Sequence, residues 1–216
     1  DDEDYNNKLY LECFINAYLK RIGVNVPRII SFSYRSIIFE YIDGKQPSGK
    51  DLLLNLIPVL SHVHHHSLNN SSYYSHVKFK LPNRNKDLRI NQANRWLEII
   101  KNNGIKFSID LNKLENAYHS RDHDLGKEYT FSFRDFGTYN CIKKKEKFYF
   151  FDFERVSCSV ITDDIASCIL EFPELEDDIV KTYLNSLPDE AFPKTRTQFH
   201  YELGYSILEK TLEILA

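Results

Sequence analysis

FSFRDFGTYNCIKKKEKFYFFDFERV, residues 131–156, sets Asp135, Asn140 and Asp152 among aromatic and aliphatic neighbours. A carboxylate brought close to an apolar core costs free energy unless something pairs with it. Asp135 and Asn140 lie five apart in RDFGTYN. With that spacing one loop can point a carboxylate at a substrate hydroxyl and an amide oxygen at a metal. Asp152 follows at the end of KFYFF, where a strand would hold it rigidly. Asn140 and Asp152 are then hard oxygen ligands of the kind Mg2+ takes together with phosphate oxygens. Asp135 is placed to orient or accept the proton of an attacking hydroxyl. The competing reading is structural: an Arg134–Asp135 ion pair in a loop, with Asp152 and Glu154 on the polar face of an edge strand.

Upstream, residues 5–22 carry apolar side chains three and four apart, from Leu11 and Phe14 to Leu19 and Ile22, which predicts an amphipathic helix closed by Gly23. RIISFS and SIIFEYI read as two short strands around a turn at Tyr34 and Arg35. Residues 49–68 read as a helix that Pro58 kinks or breaks early. Residues 69–87 read as a polar loop, 89–104 as a helix closed by Gly104, and 111–120 as another helix. After the opening stretch, residues 163–172, 174–187 and 197–216 complete a helical end. The expected layout is a small mixed piece, residues 1–43, joined to a larger, mostly helical piece, residues 44–216.

The chain has 216 residues, 42% hydrophobic and 14% aromatic, enough for one large domain or two lobes sharing a cleft. Its net charge of -3 argues against a general nucleic-acid binder, whose affinity comes from many Lys and Arg. No apolar run approaches the roughly 20 residues of a membrane span, and DDEDYNN is the opposite of a basic signal-peptide start. The cysteines, Cys13, Cys141, Cys158 and Cys168, form no CxxC pair and read as reduced thiols of a cytoplasmic protein. The lack of any methionine, even at position 1, reads as the mark of a piece of a longer chain.

The plan RDxxxxN, strand, D-F is that of phosphoryl transfer in the kinase fold, and the remaining motifs follow in order. LECFINAYLKRIGVNVPRII, IIFEYIDG, LIPVLSHVHHH and FFDFERVSCSVITDDIAS together resemble the aminoglycoside phosphotransferase and choline kinase family, a small-molecule branch of the protein-kinase-like superfamily. The resemblance spans about residues 8–172. It implies an α+β, two-lobe kinase-like fold with an incomplete N-terminal lobe and a mostly helical C-terminal lobe. It implies a phosphotransferase that moves the γ-phosphoryl of ATP or GTP to a hydroxyl of a small acceptor, aminoglycoside-, choline- or sugar-like, with Mg2+ on Asn140 and Asp152 and Asp135 as the catalytic residue. The backbone carbonyl of Glu40 and the amide of Ile42 would meet the adenine edge. Glu12 stands where kinases keep the glutamate that pairs with a phosphate-holding lysine. His64 takes the last place of Leu-x-x-Leu-His, and Asp164 the later Asp-Ile-Ala position, where it bonds loop backbone or caps a helix. Partners are then a nucleotide and a small hydroxyl compound, not nucleic acid or membrane.

Three positions depart from the family pattern. Phe133 replaces its usual histidine and Arg134 its usual glycine, and only eleven residues precede Glu12, too few for the glycine-rich loop and the lysine strand. These departures keep open an inactive pseudokinase or ligand-binding module of the same fold. His62 and His66 are four apart, the spacing of two zinc ligands on a helix, but the Glu of HExxH is absent. KKKEK, residues 143–147, reads as a solvated hairpin turn. Glu171 to Asp178, if they border the cleft, would favour a cationic acceptor; otherwise they are a solvated helix face.

Overall fold

The computed structural model describes residues 2–33, 35–69, 81–104, 110–119, 130–188 and 196–216. The predicted turn residue Tyr34, most of the polar loop (70–80) and Ser120 lie outside them. Helix α1, Asp2–Arg21, ends where Gly23 takes the left-handed conformation, φ 88°, that a residue without Cβ adopts readily. The Val24 N–H then returns to the Leu19 carbonyl at 2.9 Å. Strands β1, Ile29–Ser33, and β2, Ser36–Phe39, pair antiparallel; the second stops short of Glu40, Tyr41 and Ile42.

The helix expected over 49–68 is present in three parts: α2, Gly49–Asp51; a π-helical stretch, Leu52–Leu56; and α3, Ile57–Leu68. Ser48 opens it with a capping box closed by Asp51. Pro58 does not break it. The Ile57 N–H reaches back to the Leu52 carbonyl, a wider turn just ahead of the proline, and the helix runs on through it. Helix α4, Lys86–Asn102, starts earlier than its apolar pattern indicates, because the Asn85 side chain accepts the Leu88 N–H at 3.0 Å as its cap. Helix α5 spans Leu111–His119.

Residues 130–159 fold as one hairpin inside another. The outer pair is β3, Thr130–Ser132, with β6, Ser157–Ser159; the inner pair is β4, Cys141–Lys144, with β5, Lys147–Phe150. Helices α6, Thr162–Glu171, α7, Glu176–Ser186, and α8, Arg196–Leu215, follow. One apolar core joins α1 (Ile15, Tyr18, Leu19), the helix over 49–68 (Leu52, Leu56, Leu60), the nested hairpins (Phe131, Phe150) and the last helices (Ile165, Phe199). No helix of the described residues is long and apolar enough to cross a membrane.

Candidate active site

The nested hairpins bring the predicted residues together. The β3–β6 pairing fixes Ser132 opposite Ser157, and the β4–β5 pairing fixes Cys141 opposite Phe150. The segments between them, 133–140 and 151–156, therefore lie side by side, with Asp135 and Asn140 on one and Asp152 on the other. Asp135, Asn140 and Asp152 line one small pocket of about 10 Å³, room for roughly one water-sized species. Asp135 also lines an open cleft of about 420 Å³ with Tyr139, Arg155, Glu171, Lys210 and Glu213. Its carboxylate is common to both spaces.

Two left-handed residues shape this site: Arg134 at φ 62° and Asp152 at φ 61°. Such a conformation costs a side-chain-bearing residue about 1–3 kcal/mol and persists only where the surroundings hold it. Asp164, wholly buried, supplies the hold for Arg134. It accepts the Phe133 N–H at 3.1 Å and the Arg134 N–H at 2.6 Å, and His64 Nε2 contacts it at 2.9 Å. His64 is also wholly buried, and its Nδ1 meets the Tyr183 hydroxyl at 2.7 Å. The backbone-bonding role expected of Asp164 is thus what the structure shows. The Ser167 hydroxyl adds a bond to the Arg134 carbonyl at 3.1 Å. Phe133, in place of a histidine, packs against Phe131, Phe136, Phe150 and Phe153 with ring centroids 5.0–6.4 Å apart.

The Asn140 amide group donates to the Asp135 carbonyl at 2.9 Å, which leaves its oxygen, the atom Mg2+ takes, for the small pocket. Asn140 and Asp152 thus fit a hard cation by donor chemistry, although no cluster of three His, Cys, Asp or Glu side chains occurs among the described residues. That includes the histidines of α3: His62 bonds the Ile22 carbonyl and His66 the Tyr18 hydroxyl instead. Glu12 lies near Asp152 and Glu154; burial, then these two carboxylates, raise its pKa. Among the described residues no cation pairs with it. At the expected adenine edge, the Glu40 side chain and N–H both bond Arg28, while neither the Glu40 carbonyl nor the Ile42 N–H has a partner among the described residues.

The Arg134–Asp135 ion pair does not form. Arg134 turns to Glu213 at 3.5 Å, and Asp135 instead faces Arg155 at 3.9 Å and Lys210 at 3.8 Å, with the Tyr139 hydroxyl donating to it at 3.0 Å. Burial first, then Asp135, holds that hydroxyl firmly protonated. Burial, then Arg155, pulls the Lys210 ammonium down to about 8. Of the acidic run, Glu171 lines the cleft but bonds the Thr138 N–H at 2.9 Å, and Glu174, Glu176, Asp177 and Asp178 are exposed, a solvated face. KKKEK forms the β4–β5 turn, though Lys143 is drawn out of it to Asp51 at 2.6 Å.

Sequence reading missed Lys210 and Glu213, which reach the site from α8, and a buried ionic network behind it. There Arg84 contacts Asp163 at 2.8 Å and Glu209 at 3.2 Å, and Arg89 contacts Glu209 at 3.0 Å. Burial alone would raise the Asp163 pKa, but Arg89 and Arg84 outweigh it and hold the carboxylate ionised. Charged residues on an amphipathic helix carry no local sign that they are turned inward.

By sequence, neither a family model nor a curated protein matches the chain. Its fold is similar to that of several solved structures. The ethanolamine kinase of Plasmodium vivax shares 17% identity at a TM-score of 0.64, over 96% of this chain and 66% of that one. The choline kinase of Streptococcus pneumoniae shares 20% at 0.63, over 99% and 70%. The APH(2″)-IIa ternary complex with streptomycin and ATP shares 14% at 0.65, over 97% and 74%. The chain thus spans about two thirds to three quarters of these structures, and its fold is the kinase-like fold they share.

Proposed function

We propose that the chain is the major part of a small-molecule kinase, which transfers the γ-phosphoryl of ATP or GTP to a hydroxyl of a small acceptor. The observation that supports this reading most is the position of Asp135. Its carboxylate borders both the small pocket with Asn140 and Asp152 and the large cleft. A group there can meet an acceptor hydroxyl on one side and a transferring phosphoryl on the other, so positioning does most of the work. Asp135 orients the hydroxyl and takes its proton. Mg2+ held by the Asn140 oxygen and the Asp152 carboxylate would neutralise charge on the phosphates. The Glu40 carbonyl and Ile42 N–H receive the adenine edge. Residues 1–43 belong to the smaller lobe and 44–216 to the helical lobe. Four cysteines outside any CxxC pair fit a reducing, cytoplasmic setting.

A second reading, a pseudokinase that binds but does not transfer, is favoured by Phe133, which packs among other phenylalanine rings where the resembled family keeps a hydrogen-bonding histidine. Calorimetric titration with ATP and with GTP, with and without Mg2+, tests the first reading beside Asp152→Asn. Magnesium-dependent binding that the variant loses is expected. Binding that ignores Mg2+ favours the pseudokinase, and no binding of either nucleotide rejects the kinase assignment.

A further inference from the structure

The large cleft is lined by the carboxylates Asp135, Glu171 and Glu213 and the cations Arg155 and Lys210, but each of the carboxylates is already engaged. Glu171 is engaged by the Thr138 N–H at 2.9 Å and by the Thr138 hydroxyl. Glu213 serves Arg134 at 3.5 Å, Lys210 at 3.5 Å and Arg155 as well. Asp135 is committed, on the reading above, to the acceptor hydroxyl. Among the described lining residues no carboxylate remains for an ammonium group.

The cations, by contrast, are undersupplied. One carboxylate, Glu213, is shared by three of them. Arg155 and Lys210 come only within 3.9 and 3.8 Å of Asp135, beyond ordinary hydrogen-bond reach. The Nε atom of Arg134 is buried with no partner among the described residues. Arg155 is 34% exposed, so its guanidinium can be reached from the cleft. Burial first, then the neighbouring Arg155, lower the Lys210 pKa against the pull of Asp135.

We propose that the acceptor carries an oxyanion, a carboxylate or a phosphate, in addition to its hydroxyl, and that Arg155 and Lys210 seat it. This rests on the kinase reading of the site. A guanidinium matches such a group with two parallel N–H bonds, and a lysine adds a point charge. The same pair repels an ammonium compound, which separates this cleft from one built for a cationic amino alcohol. An oxyanion beside Asp135 has two sources, the acceptor or the transferring phosphoryl itself. The acceptor is favoured because Arg155 and Lys210 line the large cleft and not the small pocket of Asn140 and Asp152.

The test is calorimetry on the protein saturated with Mg2+ and a non-hydrolysable ATP analogue. Inorganic phosphate, glycerol 3-phosphate and ethanolamine are titrated separately at matched ionic strength. Both anions are expected to bind and ethanolamine is not. Arg155→Gln should weaken the anions at least tenfold while leaving the affinity for the nucleotide analogue unchanged, and Arg155→Lys should fall between. Binding of ethanolamine alone, or of none of the three, overturns the proposal. A loss of nucleotide analogue affinity in Arg155→Gln, with ADP affinity kept, overturns it in favour of the transferring phosphoryl. Failure of the wild-type protein to bind the analogue with Mg2+ rejects the kinase reading instead, and is seen before any acceptor probe is added.

Discussion

Lys210→Met should make the protein more stable. Lys210 is 6% exposed, and its pKa falls from 10.5 to about 8 because burial, and then Arg155, oppose its charge. At about 1.4 kcal/mol per pKa unit, holding this ammonium in the folded state costs about 3 kcal/mol relative to the unfolded chain. The sign follows from proton counts. Below pH 8 both states carry the proton and the cost is present in full. Between about 8 and 10.5 the folded state has released the proton and the unfolded chain has not, so wild-type stability rises with pH. Above that both are neutral and the cost is gone. Methionine fills a similar volume without charge. Urea unfolding at pH 7 should therefore place the variant about 3 kcal/mol above the wild type, roughly 1 M in midpoint for a slope of about 3 kcal/mol per M. The gap should close as pH approaches 10.5. Equal or lower stability of the variant at pH 7 would show that Asp135 and Glu213 already compensate the ammonium, and would remove the argument that Lys210 has charge left over for a ligand.

Three further outcomes follow from the same contacts. Asp164→Asn leaves one acceptor oxygen where the Phe133 N–H, the Arg134 N–H and His64 converge, and should lower stability by about 3 kcal/mol in urea unfolding and loosen the Asp135 loop to amide hydrogen exchange. Glu209→Ala strips Arg84, Arg89 and the Tyr118 hydroxyl of their shared partner, and a loss of about 3–5 kcal/mol is expected; a change under about 1 kcal/mol would mean that Asp163 satisfies both arginines. The Asp51 carboxyl, lowered from 3.8 to about 2 chiefly by its hydrogen bond from Lys143, contributes stability above pH 3.8 that is lost as pH falls through about 2. In Lys143→Met its titration, followed by carboxyl NMR, should move back toward 3.8, and an unmoved value would assign the shift to Ser48 instead.

What could be read in the sequence was local. Gly23 marks the end of α1, the lysine-rich run KKKEK marks the β4–β5 turn, and Asp135, Asn140 and Asp152 stand out as polar residues in an aromatic stretch. Pro58 signalled an irregularity but not a break: Ile57 bonds five residues back, the turn ahead of the proline widens, and the helix continues. Strand β6 was not visible at all. Ser157–Ser159 has no periodicity over three residues, and it is a strand only because β3 pairs with it. That pairing nonetheless helps to make the site, since it closes the outer hairpin around Asp135, while the inner pair and the bond from the Phe151 N–H to the Asn140 carbonyl set Asp152 beside Asn140.

The charges that select a ligand were still less legible. Glu209, Lys210 and Glu213 belong to a helix whose sequence shows ordinary polar residues among apolar ones. Their meaning lies in what α8 packs against: Arg84 and Arg89 on one side, Asp135 and Arg155 on the other. The two sides differ physically. Toward Arg84 and Arg89, two arginines meet two carboxylates, Asp163 and Glu209, and the Ser206 hydroxyl adds a bond to Asp163 at 2.9 Å, so the charges are matched and closed to solvent. Toward the cleft, three cations share Glu213, two of them, Arg155 and Lys210, reach Asp135 only at 3.9 and 3.8 Å, and the arrangement is open to solvent. A matched, buried network fixes a helix in place; an unmatched, accessible one has affinity left over for a ligand of opposite sign. Helix α8 thus carries a structural end-on contact at Glu209 and a ligand-facing one at Lys210 and Glu213, and changes at the first should be read in stability, changes at the second in binding.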